Sequence, residues 1–243
     1  MSSVSADIAL SQQQVLMRDL HVTQHNIANS KAPGFQAESL IMVESPVRPT
    51  FNQSYAFVDD LVRIRDLTQG QFVDTGNPFH AYISGRAYFA VQTPQGIRYT
   101  RNGAFTLNPQ SELVTAEGYQ VLNPGNAPIV IPEGLTNISI GSDGVISSNQ
   151  GQIDQLGAFS FQNEQLLKDV GDNLLTTTEQ PALAENYSIT QFGFEGSNVN
   201  EIRETTHLMD IMRKFQHIQK FIEQNGRMQS QATQSLLKIS SFA

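Results

Sequence analysis

Residues 208–239 read LMDIMRKFQHIQKFIEQNGRMQSQATQSLLKI, and their apolar members recur every seven positions. One set is Leu208, Phe215, Ile222, Gln229 and Leu236; a second, three residues on, is Ile211, Ile218, Asn225, Ala232 and Ile239. These are the a and d positions of five heptads, and eight of the ten are apolar. The pattern predicts a long helix that packs in a coiled-coil manner against a partner. Asn225 and Gln229 place amides on the seam with Gly226 between them; polar seam positions fix register at a cost in stability. Upstream, Ser197-Asn198-Val199-Asn200-Glu201 predicts the helix start, with Asn198 as cap and Glu201 three residues on.

The candidate partner lies at the other end of the chain. From Val4 to Ile27 there is neither Gly nor Pro. Val4, Ile8, Val15, Leu16, Leu20, Val22 and Ile27 fall within an arc of about 160° on a helical wheel. Gln12, Asp19 and Thr23 interrupt that face, and Pro33-Gly34 ends the helix. Helices from opposite chain ends can pair only if the chain returns on itself. The expectation is therefore a discontinuous helical domain made of 1–36 and 196–243.

Between the ends the punctuation is that of β structure. Ile97-Arg98-Tyr99-Thr100 and Ala104-Phe105-Thr106-Leu107 are joined through Arg101-Asn102-Gly103, and Asn-Gly predicts a hairpin because both residues tolerate positive φ. Ser142-Asp143-Gly144 predicts another, between Ile138-Ser139-Ile140 and Val145-Ile146. Turn signals recur at Gly76-Asn77-Pro78, Pro94-Gln95-Gly96, Glu117-Gly118 and Asn123-Pro124-Gly125. Short strands so punctuated argue for an all-β sandwich or barrel over 76–195. Residues 37–75, with Pro46, Pro49, the run from Thr50 to Tyr55 and a half-alternating Val58 to Leu67, are expected to form an extended connection. The fold class is thus α+β, with paired terminal helices around a central all-β domain.

The chain has 243 residues, with 15 basic and 23 acidic side chains, a net charge of −8 and no Cys or Trp. Lacking Cys, it has no disulfide, thiolate metal site or cysteine nucleophile. A net acidic chain with no basic block is a poor nucleic-acid binder. No apolar run reaches the roughly 18 residues that span a bilayer. The start, Met-Ser-Ser-Val-Ser-Ala-Asp-Ile, has no basic or apolar region of a cleavable signal peptide. From Asn102 to Asn200 there are 11 acids and one base, Lys168, whereas Glu201 to Ala243 holds four acids and six bases. That segregation marks the middle as a separate, solvated unit. Polarity comes from amides: 25 Gln and 16 Asn. An amide surface repels itself weakly, which permits association.

Catalytic and metal-binding patterns are lacking. His21 and His25 stand four apart on a predicted helix, but Val22-Thr23-Gln24 between them lacks the Glu of a zinc protease, so both read as surface imidazoles. There is no G-x-S-x-G, no G-x-x-x-x-G-K-[ST] and no G-x-G-x-x-G. Asp59-Asp60 would point to opposite faces of a strand, which does not suit a glycosidase pair. The sequons at Asn52, Asn137 and Asn186 are chance matches in an Asn/Ser-rich chain. No catalytic, cofactor-binding or metal-ligating residue is expected, and no cofactor. An enzyme would need a central pocket with converging carboxylates.

Two clusters remain: His25 to Gln36, and Glu195-Gly196-Ser197-Asn198-Val199-Asn200. Together with three central motifs they resemble the flagellar axial family of rod, hook and hook-associated proteins. Asn26-Ile27-Ala28-Asn29, followed after Ser30-Lys31-Ala32-Pro33 by Gly34-Phe35, is similar to the family's N-terminal signature. Thr75-Gly76-Asn77-Pro78, Ile83-Ser84-Gly85 and Tyr88-Phe89-Ala90-Val91 resemble the start of its β region. Tyr99-Thr100-Arg101-Asn102-Gly103-Ala104-Phe105 and Leu113 to Leu122 resemble the hairpin that follows. Glu195 to Asn200 is similar to its C-terminal signature. The motifs cover nearly the whole chain in order. Ala32-Pro33, Gln36 and Arg86-Ala87 depart from the family pattern.

The length and the small single β region are most similar to the proximal rod proteins; distal rod and hook proteins are the neighbouring alternatives. The resemblance implies a structural subunit of the basal-body rod that self-assembles through its terminal helices into an axial drive shaft. It implies a periplasm-spanning location reached by type III export without a cleaved signal, and partners among same and paralogous rod subunits, the export apparatus and the ring bushing around the rod. The implied assembly residues are Ile8, Val15, Leu20, Val22, Asn26, Ile27, Asn29, Gly34 and Phe35 at one end. At the other they are Ser197, Asn198, Val199, Asn200, Leu208, Ile211, Phe215, Ile218, Ile222, Leu236 and Ile239. Thr100, Arg101, Asn102 and Gly103 form the hairpin signature. A secreted β-domain binding protein is the reading from a different class; there the helices would be mere packing.

Overall fold

The computed structural model describes residues 2–43 and 60–240. The prolines at 46 and 49, the run 50–55 and Asp59 lie outside these residues, as do the side chains of Ile8, Gln229, Ala232, Leu236 and Ile239. The chain divides into two compact units, one built from Met1–Ala28, Glu38–Ile64 and Asn200–Ala243, the other from Asn29–Ala37 and Arg65–Val199.

The first unit holds helix α1, Ser2–Ala28, and helix α2, Glu201–Ser240, packed on one another. Along α2 from Ile211 to Met228 the less exposed side chains are those of the seven-residue repeat: Phe215, Ile218, Ile222 and Asn225 are half-buried and Ile211 is 1% exposed; before it Leu208 is half-buried, as are Glu204, Thr205, His207 and Asp210. On α1, Val22 and Thr23 are buried while Val15, Leu20 and Ile27 are half-buried. Of the polar residues that break the α1 stripe, Asp19 bonds across to α2, as does Asn26 further along the helix. Asp19 meets His207 of α2 at 3.1 Å, and Asn26 donates to Glu204 at 3.2 Å.

The helix start differs from the expectation. The cap of α2 is Asn200, whose side chain accepts from the Arg203 N–H at 3.0 Å and whose carbonyl accepts from Glu204. Asn198 is spent elsewhere. The expected connection over 37–75 differs too: Glu38–Val43 and Asp60–Arg65 pair as a two-stranded sheet. The half-alternation after Val58 belongs to that second strand. Asn26 holds the first strand to α1, accepting from the Glu38 N–H and donating to its carbonyl at 2.9 and 2.8 Å.

The second unit is β-rich. A nine-stranded sheet is centred on Tyr88–Thr93, which pairs antiparallel with Gly96–Thr100, Gln120–Val121 and Ala158–Ser160. Side chains alternate along a strand, so the central strand is buried on both faces. Phe89 and Val91 join a core with Ile83, Phe105, Leu113, Val121, Ile146 and Leu156. Tyr88 and Ala90 join a second with Tyr99, Phe159, Phe161 and Leu175. Tyr99 sits edge-on to Phe161 at 4.8 Å, a favoured aromatic geometry.

The hairpin at Ser142-Asp143-Gly144 forms as read, with Ser139–Ile140 antiparallel to Val145–Ser148 and Gly144 at φ +83°. The one at Asn102-Gly103 does not. Gly96–Thr100 pairs with the central strand and with Leu175–Thr176, whereas Thr106–Leu107 pairs with Leu113–Val114. Neither Asn102 nor Gly103 has positive φ. This segment is a buried crossing, not a surface turn.

Candidate functional site

The motifs that lie far apart in sequence converge at one junction inside the second unit. Its centre is the carboxylate of Glu195, 1% exposed. Arg101, 4% exposed, donates Nε to Glu195 Oε2 at 2.6 Å, and the Gly70 N–H donates to Oε1 at 2.8 Å. The rest of the guanidinium is used on backbone: Nη1 donates to the carbonyls of Gly85 and Ala87, Nη2 to that of Ile83. Arg101 also lies over the Tyr88 ring, 5.5 Å from its centre. Burial pushes the Glu195 carboxyl up from its ordinary range; the Arg101 charge and the Gly70 N–H act against that.

Around this pair, chain segments approach backbone to backbone. The Gly34 N–H donates to the Glu195 carbonyl at 2.7 Å. Gly34 has φ +69°, and a Cβ there would stand 2.3 Å from the Asn102 nitrogen. A Cβ at Gly70 would stand 1.9 Å from the Gly196 oxygen, and one at Gly103 1.6 Å from the Ala81 oxygen. Thr100 Oγ1 donates to the Asn173 carbonyl and accepts from the Asn102 N–H, while Asn102 Oδ1 accepts from Ala104. Thr100, Arg101, Asn102 and Gly103 are therefore all committed within the unit.

Amide side chains stand in for peptide groups at the strand edges. Asn198 Oδ1 accepts from the Ala37 N–H at 2.7 Å, and its Nδ2 donates to the carbonyls of Asp66 and Thr68. Gln165 does the same for Arg65, accepting from its N–H and donating to its carbonyl. Gln69 donates to Ile83 O and accepts from Gly85 N–H; Gln191 accepts from Ile140 and donates to Pro78 and Ile138. A neutral amide offers donor and acceptor together, as a peptide group does, whereas a carboxylate only accepts. Asn198→Asp should therefore destabilise the second unit by about 2–3 kcal/mol, since a carboxylate would face two carbonyls with no proton to give. Urea unfolding followed by near-ultraviolet circular dichroism measures this; an unchanged midpoint would count against the surrogate role.

The residues read as one assembly set fall into two groups. Gly34, Phe35, Ser197, Asn198 and Val199 belong to the β-rich unit, with Phe35 buried, its carbonyl accepting from the Asn198 N–H, and Ser197 Oγ accepting from Val199. Asn29 belongs there too, its carbonyl accepting from Ala32. Val15, Leu20, Val22, Asn26, Ile27, Asn200, Leu208, Ile211, Phe215, Ile218 and Ile222 belong to the helical unit. There, Ser11, Gln12, Val15, Leu16, Lys214, His217 and Ile218 line a groove of about 470 Å³. Sequence reading missed Glu195 as a centre and the surrogate roles of Gln69, Gln165 and Gln191. Nothing local distinguishes these glutamines from the other 22; Glu195, inside a quoted motif, could have been found as the acid matching Arg101.

Among the described residues, no group of three or more His, Asp or Glu is placed to hold a metal ion, and no helix is long and apolar enough to cross a membrane.

Two family models match the chain: the flagellar hook protein FlgE/F/G D1 domain over residues 82–148, and the flagellar basal body rod FlgEFG protein C-terminal region over 191–235. The flagellar basal-body rod protein FlgF of Caulobacter vibrioides is 33% identical over 238 residues, covering 96% of this chain and 97% of that protein. That of Mesorhizobium japonicum is 31% identical over 232 residues, covering 94% and 96%. The flagellar basal-body rod protein FlgG of Agrobacterium fabrum is 32% identical over 184 residues, covering 70% and 69%.

Proposed function

Since the chain belongs to the flagellar basal-body rod proteins of the FlgF type and is a structural rod subunit, we propose that its helical unit carries assembly. In this reading α1 and α2 pack as a coiled-coil-like axial element, and neighbouring subunits cover what the pair leaves open. The observation that carries it is the incomplete seam: of Leu208, Ile211, Phe215, Ile218 and Ile222, only Ile211 is fully buried. Further apolar side chains lie exposed at seven-residue spacing, Leu10 with Met17, Ile202 with Met209, and Phe221 with Met228. Heptad spacing suits packing against another helix. Contacts of this kind between unlike patches build helical filaments.

The partners are then other rod subunits, identical and paralogous, and the ring bushing around a periplasm-spanning rod. The place is the proximal rod, the route flagellar type III export, and the task transmission of torque. The alternative reading, a distal rod or hook-type subunit, would use the same helices.

Phe215→Asp should abolish rod incorporation and motility while leaving the β-rich unit folded. The measurement is a swimming assay on a complemented deletion strain, with protease resistance of the β-rich unit as the folding control. Retained motility would overturn the assignment.

A further inference from the structure

Phe192 adopts a left-handed conformation, φ +72°, and is 46% exposed. A bulky residue seldom takes this geometry, and it persists only when its surroundings over-determine it. Here a turn over 75–80 holds it. The Phe192 carbonyl accepts from the N–H groups of Thr75 and Gly76 and from Thr75 Oγ1, and its N–H donates to the His80 carbonyl.

The proton positions in this turn follow from the bonding. Asn77 Oδ1 accepts from the Phe79 N–H at 3.0 Å, which turns the amide nitrogen toward His80 Nε2, 3.2 Å away. An amide nitrogen only donates. His80 Nε2 therefore carries the lone pair, and the proton sits on Nδ1, which donates to Thr75 Oγ1 at 2.7 Å. Thr75 Oγ1 is left to give its own proton to Phe192 O and to accept from the Asn77 N–H. These bonds are mutually consistent when the imidazole is neutral.

We propose that Asn77 and His80 form a pH-operated clasp on this turn, closed while His80 is neutral and opened when it takes up a proton. A proton on Nε2 would face the Asn77 amide hydrogens. Asn77 can accept it only by rotating Oδ1 away from Phe79, which undoes the turn that seats Phe192.

Among the described residues, no carboxylate pairs with the His80 imidazole. Of the elements packed there, Phe72–Asp74 carries Asp74, whose Oδ1 accepts from Gly76, and Gly193–Glu195 carries Glu195, held by Arg101. Ala81–Gly85 carries only the Tyr82 phenol, and the Phe194 ring lies 5.4 Å from the imidazole. Burial accordingly holds the His80 pKa below its ordinary 6.5. The sign is fixed: a base depressed in the folded state contributes stability above 6.5 that is lost as pH falls through its folded value.

The test is nitrogen-15 NMR of the histidine rings in the full chain between pH 7.5 and 4.5. His80 should show the Nδ1–H tautomer, titrate below 6.5, and carry the Phe79 backbone amide shift with it. Asn77→Asp keeps an acceptor for Phe79 and places a carboxylate oxygen on Nε2, so it should raise the midpoint by at least about one unit. An Nε2–H tautomer, a Phe79 amide indifferent to the titration, or an unmoved midpoint in Asn77→Asp would each overturn the clasp.

Discussion

Replacing Arg101 by Met is expected to cost the β-rich unit about 3–5 kcal/mol, the range for breaking a buried ion pair from one side. The loss has two parts. The carbonyls of Ile83, Gly85 and Ala87 lose the bonds from Arg101, that of Ile83 still accepting from Gln69, and the Glu195 carboxylate keeps the Gly70 N–H. Met fills much of the same volume, so the effect is one of charge and hydrogen bonding rather than of a cavity. Denaturant unfolding read by tyrosine fluorescence measures it, the chain having no Trp. The pH dependence identifies the cause. Burial already raises the Glu195 pKa, and without Arg101 the first opposing influence is gone. A carboxyl raised in the folded state contributes stability below its unfolded value that is lost as pH rises through the folded value. The gap between variant and wild type should thus be smaller at pH 5 than at pH 8. Adding Glu195→Gln should recover part of the loss at pH 8. A cost under about 1 kcal/mol, with no pH trend, would place the pair among surface-like bridges.

What was legible in the sequence divides along physical lines. The heptads of α2 were readable because burial and helical period coincide over many residues. The hairpin at Asp143-Gly144 was readable because a turn is a local solution to a local constraint. Asn198 was misread because cap chemistry and peptide mimicry need the same side chain; only the fold places Ala37 and Asp66 within its reach while Asn200 caps. The strand 38–43 was hidden, and the half-alternation of 60–65 was read as part of a connection, because each strand of a two-stranded ribbon is short and only partly buried. The amide-rich composition changes meaning most. It allowed a weakly charged, association-prone surface; in the structure Asn26, Gln69, Gln165, Gln191 and Asn198 serve as peptide surrogates, a job for which charge is unsuited.

Gly103→Ala is expected to be as damaging as the loss of Arg101, for a different reason. The sequence suggests a turn glycine, chosen for positive φ. The structure instead brings the Gly103 α-carbon against the backbone of Ala81, where a Cβ would lie 1.6 Å from the oxygen and 2.8 Å from the carbonyl carbon. Neither atom belongs to a flexible side chain, so the two segments must part. Parting them breaks the Ala81 N–H to Gly103 O bond of 3.0 Å and displaces the strand Ala81–Gly85 from its pairing with Tyr187–Gln191. Overpacking costs about 1–3 kcal/mol and a buried hydrogen bond lost outright about another 1–3, so a total near 3–5 kcal/mol is expected in denaturant unfolding. Gly226→Ala, on α2 with nothing within 4 Å of the added carbon, should do no harm and gain up to about 1 kcal/mol of helix propensity. Gly103→Asn separates the two explanations. Asn tolerates the left-handed region, so a turn glycine would accept Asn better than Ala; a glycine required by backbone approach rejects both. Asn restoring most of what Ala loses would revive the hairpin, whereas equal loss fixes position 103 as the point where the connecting segment passes the strand Ala81–Gly85 with no room for a side chain.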